Sequence, residues 1–273
     1  MTPHKKAMLV ASFGTSYAET RKKTIGAIED AIAKAFPDWE FRRAFTSKMV
    51  IKKLAQRDGE KVDYIDEALD RLAADGFDTV AVQPVHVMNG MEYDDVARIA
   101  LRYEGRFASL AVGKPMLTSD EDYGLAVEAI SSSLAAEARD VAGEGAAVVL
   151  MGHGSEHHAN AAYSQLYLKL LFAGMPDVYV TTVEGFPGFE ETMRLMGEGG
   201  YDDAVLFPFM LVAGDHAVND MAGDGEGSLK KALEGEGYRV RCVLKGLGEY
   251  AAFRDIFVRH AAEAAERASG GAT

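Results

Sequence analysis

Two hydrophobic patterns take turns along the chain. Short, mainly apolar runs at 7–12, 79–82 and 146–151 have the form of strands, and the unbroken run 146–151 that of a strand buried on both faces. Between them lie longer stretches with apolar residues three and four apart, such as Ile25, Ile28, Ile32 and Ala35 within 19–36, and these mark amphipathic helices. In chain order the pattern predicts a strand at 7–12, a helix at 19–36 stopped by Pro37, and a strand at 39–45. Helices follow at 48–56, capped by Thr46-Ser47, and at 62–75, ending at Gly76. A strand at 79–82 leads into an extended loop at 84–90, a helix at 94–107, a short strand at 110–112 and a long helix at 120–141.

The second half repeats this plan. Gly76-Phe-Asp-Thr-Val-Ala-Val-Gln-Pro84 aligns without gaps with Gly200-Tyr-Asp-Asp-Ala-Val-Leu-Phe-Pro208, and Gly90 then falls on Gly214. Gly14 matches Gly154, Phe13 matches His153, and the strand 41–46 corresponds to 179–184. The expected fold is therefore α/β, with two similar halves, 1–143 and 144–273. Each is a parallel sheet flanked by helices, the halves face each other across a cleft, and the boundary falls at Gly143-Glu-Gly145.

With 273 residues, 48% of them hydrophobic, the chain can bury a substantial core. Its net charge of −13 argues against nucleic acid or a membrane surface as partner, since both are anionic. The single cysteine, Cys242, rules out an internal disulfide and any multi-thiolate metal site, so a bound metal would use nitrogen and oxygen. No run of about 18 apolar residues is present, and the first residues read as the lead into a strand rather than an export signal. A cytoplasmic protein is expected, and a homo-oligomer is left open.

The chemistry gathers where apolar strands end. The run 146–151 stops in Gly152-His-Gly154, which puts His153 at the carboxyl end of a central strand, where open α/β sheets bind ligands. Glu184 follows the strand 178–183 and precedes Gly185, and His216 lies just past another strand and Gly214. Two imidazoles and a carboxylate suit Co²⁺, Ni²⁺, Fe²⁺ or Zn²⁺ and leave coordination positions open. Each residue also has a structural reading: His153 closing a loop, Glu184 capping its turn, His216 paired with Asp215 or Asp220 on the surface. His157 and His158, on a helix starting near Glu156, read as solvent-exposed or cleft-rim residues, and His4 and His260 carry no functional weight.

Five segments in order now carry a resemblance: Ser12-Phe-Gly-Thr-Ser16, Phe45-Thr-Ser47, Pro84-Val-His-Val-Met-Asn-Gly-Met-Glu-Tyr93, Gly152-His-Gly-Ser155, and Pro208 to His216. Together they resemble the sirohydrochlorin cobaltochelatases, the anaerobic cobalt chelatases of cobalamin biosynthesis, over nearly the whole chain. That family belongs with the ferrochelatase-like class II chelatases, which use no ATP and build a tetrapyrrole cleft from two α/β halves. The resemblance implies insertion of Co²⁺ into sirohydrochlorin, with no cofactor beyond the substrate ion. It implies His153 and His216 as metal-binding and catalytic residues, with Glu184 and Glu92 at the family's acidic positions. Fe²⁺ insertion towards sirohaem is a close variant and Ni²⁺ a further substrate ion. A metal or haem carrier of the same fold is a second class, and a metal-assisted hydrolase, for which no nucleophile or paired-metal motif is present, a third.

Metal insertion into such a ring needs an ion held loosely enough to leave, two pyrrole N–H protons removed, and the macrocycle distorted towards the metal. Histidine serves the first two, because its neutral ring binds metal and accepts protons near neutral pH. The repeat places Glu92 at the position equivalent to His216, so Glu184 is expected to help hold the ion and Glu92 to receive protons, or to orient the macrocycle, from across the cleft. Met88, Met91, Phe186, Phe189, Met210 and Leu211 are candidates for the cleft walls or for ordinary core. Arg42, Arg43, Lys48 and Arg194 are candidate cations for the macrocycle's eight carboxylates.

Overall fold

The computed structural model describes residues 5–270, so His4 lies outside the described residues. Strands β1 (Lys6–Ser12), β2 (Glu40–Phe45), β3 (Asp63–Tyr64), β4 (Thr79–Val85) and β5 (Ser109–Val112) form one sheet in the order β3-β2-β1-β4-β5. Strands β6 (Ala147–Gly152), β7 (Val178–Thr182), β8 (Asp203–Pro208) and β9 (Arg239–Cys242) form a second in the order β7-β6-β8-β9. All neighbours are parallel. The apolar runs become β1, β4 and β6 because both faces are covered. Ala7, Leu9 and Ala11 pack with Ile65, Leu69, Val96 and Ile99 on one side, while Met8 and Val10, on the other, are equally buried.

The internal repeat holds at the level of register. Ala11 pairs with Pro84 in the first sheet as Met151 pairs with Pro208 in the second, so the gapless match is structural. Phe13 and His153 are then equivalent, each one residue past its strand. The match of 41–46 to 179–184 is one residue out: Ser12 pairs with Phe45 and Gly152 with Thr182, which makes Ser47 the equivalent of Glu184. Alternation along one strand does not fix its offset, whereas the ladder to its neighbour does.

Several elements differ from the sequence pattern. The stretch 19–36 is two helices, Ala18–Lys23 and Ile25–Ala35, broken at Thr24, whose hydroxyl donates to the carbonyl of Thr20 at 2.7 Å. Residues 62–64 contribute the short edge strand β3 ahead of helix Ile65–Ala74. β4 runs on through Pro84, because its pairing with β5 stops at Val82 with Val112 and only β1 lies alongside the proline. Helix Met91–Leu101 starts earlier than expected, after Gly90, and so takes in Glu92.

The chain folds as two compact units, and they divide differently from the expected halves. One runs to Thr118 and resumes at Arg254; the other is Ser119–Phe253. The long helical stretch Asp120–Ala129, Ile130–Ala135 and Ala136–Ala142 belongs with the second sheet, where Asp120 pairs with Lys169 and Glu137 accepts from Lys245 at 2.5 Å. From Arg254 onward, helix Ala251–Ala268 belongs with the first sheet: Arg267 donates to the carbonyl of Val112 at 2.6 Å and Glu263 pairs with Lys114 at 2.7 Å. A helix's apolar stripe marks which face is buried, not which sheet it will cover, so Gly143-Glu-Gly145 is a turn inside a unit rather than its border.

Candidate active site

In the second sheet the chain leaves β6 in one direction for β7 and reaches β8 on the other side, so the loops beyond β6 and β8 diverge and open a crevice at the carboxyl edge. His153 is the first residue past β6, and His216 follows the loop beyond β8. Their rings meet edge to face, with centroids 4.6 Å apart and planes at 83°. Glu184, beyond β7, brings Oε2 to 4.0 Å from Nδ1 of His153. The structure thus brings together the three residues of the second unit that the sequence singled out.

Small residues make that approach possible. Any Cβ on Gly152 would fall 2.2 Å from the ring of the buried Tyr163, and one on Gly154, where φ is +81°, would fall 2.7 Å from the carbonyl carbon of Glu184. With both side chains absent, the pairing of β6 with β7 continues into the loops: Val183 N–H donates to Gly152 at 3.1 Å and Glu184 N–H to His153 at 2.8 Å. Asn160 fastens the two loops, its Oδ1 accepting from Ser155 N–H at 3.0 Å and its Nδ2 donating to the carbonyl of Phe186 at 2.7 Å. Burial pushes the Tyr163 hydroxyl up to about 12, against the pull of hydrogen bonds from the backbone of Gly154 and His153. It remains a neutral phenol beneath the loop.

The partners of the two rings fix their tautomers. Nδ1 of His153 lies 2.9 Å from the carbonyl oxygen of Gly154, and Nδ1 of His216 lies 2.7 Å from Oδ2 of Asp220. A carbonyl and an ionised carboxylate only accept, so Nδ1 carries the proton in each neutral ring and Nε2 keeps its lone pair. The pairing named above as the surface reading of His216 is therefore present, with Asp220 rather than Asp215, and it is also how metal-binding imidazoles are held. Sequence reading gave Asp220 no functional part, although its four-residue spacing from His216 on a helical turn was a usable signal. Asn160 had none. Among the described residues, no group of three or more His, Cys, Asp and Glu side chains is placed to hold a metal ion. The arrangement is two adjacent imidazoles with a carboxylate standing off.

In the first unit Glu92 occupies the opening turn of helix Met91–Leu101, where unpaired N–H groups favour negative charge. Its Oε2 is 3.6 Å from Nε2 of His86, a buried residue that the sequence reading did not single out. Burial depresses that imidazole to about 4, so it is neutral near pH 7. The rings of His157 and His158 lie 4.0 Å apart and tilted by 40°, at the start of a short turn, His158–Asn160, rather than on a longer helix. His260 is wholly buried with Nδ1 3.1 Å from the carbonyl of Lys114, a core histidine.

The proposed walls and cations sort in the same way. Phe189 and Met210 pack against the second core, whereas Phe186 and Met91 stand exposed. Arg43 is engaged by the buried Glu29, and Arg42 by Glu40 at 2.7 Å and Asp75 at 3.2 Å. Lys48 sits over the ring of Tyr64 at 4.8 Å.

Two parallel sheets, with imidazole and carboxylate groups gathered at the carboxyl edge of the second, define an α/β protein with a ligand site at a sheet edge. A solved structure of SirB from Bacillus subtilis, with Fe³⁺, shares the fold with a TM-score of 0.66 over 97% of this chain and 98% of that one, at 15% identity. The model of the cobalt chelatase (CbiK) family matches residues 6–266. Sirohydrochlorin cobaltochelatase of Salmonella typhimurium is 41% identical over 94% of this chain and 95% of its own length. Sirohydrochlorin cobaltochelatase CbiKC of Nitratidesulfovibrio vulgaris is 33% identical over 94% of this chain and 89% of its own. The chain belongs to the cobalt chelatase (CbiK) family.

Proposed function

We propose that this cobalt chelatase inserts Co²⁺ into sirohydrochlorin, the substrate for which its relatives from Salmonella typhimurium and Nitratidesulfovibrio vulgaris are named. The observation that carries the site assignment is the 4.6 Å approach of the His153 and His216 rings, each with its Nδ1 already engaged by an acceptor. Both then offer Nε2 to an incoming ion. Glu184, whose Oε2 lies 4.0 Å from the Nδ1 edge of His153, adds a carboxylate beside the two rings that can swing onto the ion and release it.

Insertion exchanges one divalent ion for two pyrrole protons. The ion must pass from protein nitrogens to macrocycle nitrogens, so a site of few ligands suits it better than a closed cage. We assign the two imidazoles and Glu184 to holding the ion, and Glu92 to accepting protons as the macrocycle's nitrogens are bared. Support for Glu92 comes from its place in the repeat, equivalent to His216, and from its buried imidazole neighbour.

The test is an absorbance-monitored incubation of the purified protein with sirohydrochlorin and Co²⁺, Fe²⁺ or Ni²⁺, each beside a control without protein. Acceleration of the spectral conversion, greatest with Co²⁺, is expected. Pigment binding without acceleration would identify a carrier instead.

A further inference from the structure

His86 is the least accounted-for polar side chain in the first unit. It follows β4 directly, and its backbone is pinned: its carbonyl accepts from Met116 N–H at 2.9 Å, and the carbonyl of Val87 from Leu117 N–H at 2.8 Å. Both ring nitrogens are shut off from solvent, and neither has a hydrogen-bond partner. Leaving a buried donor or acceptor unmet costs about 1–3 kcal/mol, so a ring with neither nitrogen satisfied is unusual and calls for a reason. Ordinary core packing does not supply one. His260, also buried in this unit, has a carbonyl on its Nδ1 at 3.1 Å.

What His86 does have nearby is Glu92, with Oε2 3.6 Å from Nε2. That is a few tenths of an ångström beyond a hydrogen bond, a gap of the kind that closes when a working side chain takes up its substrate-bound position. We propose that His86 is the positioning residue for Glu92, its Nε2–H holding one carboxylate oxygen so that the other is turned to the proton it receives. The inference rests on the assignment of Glu92 to proton removal. The proton balance is simple: the other oxygen takes the pyrrole proton, the held oxygen goes on accepting from Nε2–H, and His86 neither gains nor loses a proton. A ring that burial keeps neutral is suited to that part, because it does not compete with Glu92 for the proton.

The test compares single-turnover Co²⁺ insertion into sirohydrochlorin by the full-length protein and four variants: Glu92→Gln, His86→Leu, His86→Gln, and the Glu92→Gln/His86→Leu pair. His86→Leu should slow insertion roughly 10-fold to 100-fold, the range seen when an outer partner of a working group is lost, with KM for sirohydrochlorin unchanged. His86→Gln, whose amide can place an N–H near the position of Nε2, should recover most of the rate even if His86→Leu folds poorly. In the Glu92→Gln background, His86→Leu should cost nothing further, because the carboxylate it positions is gone. Equal losses in both backgrounds, or no recovery in His86→Gln, would overturn the positioning role while leaving Glu92 as proton acceptor. A normal rate in Glu92→Gln would overturn the assignment of Glu92, and this inference with it.

Discussion

Nδ1 of His216 is held 2.7 Å from Oδ2 of Asp220, one helical turn further on. That contact decides which nitrogen of His216 faces away with a lone pair. Replacing Asp220 with Ala should therefore weaken Co²⁺ binding roughly 10-fold to 100-fold without removing a ligand. Calorimetric titration of Co²⁺ into the variant and the parent protein checks this. Unchanged affinity would mean that Asp220 is a surface partner of His216 and nothing more.

Gly154 is required twice over, by its φ of +81° and by the backbone of Glu184 in the space a Cβ would take. Gly154→Ala should cost about 1–3 kcal/mol of stability and, by forcing the two loops apart, lower insertion more than the loss of stability explains. Urea unfolding and initial rates on the same preparation separate the two effects.

The two acidic residues should fail in different ways. Glu184→Gln is expected to weaken Co²⁺ binding, because its carboxylate stands 4.0 Å from His153. Glu92→Gln should bind Co²⁺ as before yet insert it slowly, since an amide cannot accept the proton. Metal titration and single-turnover insertion, measured separately for each variant, distinguish these outcomes. Loss of metal in Glu92→Gln with normal binding in Glu184→Gln would reverse the assignment.

Acid should destabilise the protein through His86. Burial depresses the imidazole from 6.5 to about 4, so between those values the unfolded chain carries a proton that the native ring does not. The contribution is fully present above about pH 6.5 and is lost as pH falls towards 4, by about 3 kcal/mol in all. Unfolding free energies of His86→Leu should lack that part of the acid limb. An identical pH profile in the variant would place the titration elsewhere.

Much of this was legible in the sequence because parallel strands buried on both faces leave unbroken apolar runs, and because residues at their ends are marked by glycine. Ala146 to Met151 followed by Gly-His-Gly is enough to put His153 at a sheet edge, and the gapless match of 76–84 with 200–208, set in the same order of elements, is enough to find the repeat. What the pattern does not carry is anything set by the neighbouring chain segment. The one-residue offset between β2 and β7 is a property of the ladder to the central strand. The allegiance of the helical stretch 120–142 depends on which sheet its stripe meets. His86 was hidden for another reason: within Pro84-Val-His-Val it looks like one more strand residue, and its burial without hydrogen-bond partners is a property of the folded chain alone.

The claim that His153 and His216 together hold the substrate ion is tested most directly by the initial rate of absorbance change when His216→Ala is mixed with sirohydrochlorin and Co²⁺, beside the parent protein and a protein-free control. His216 is partly exposed at the start of the helical turn that follows the loop beyond β8, so the variant should fold normally, and its rate should fall to that of the protein-free control. A folded His216→Ala protein that inserts Co²⁺ at the parent rate would contradict the two-histidine site.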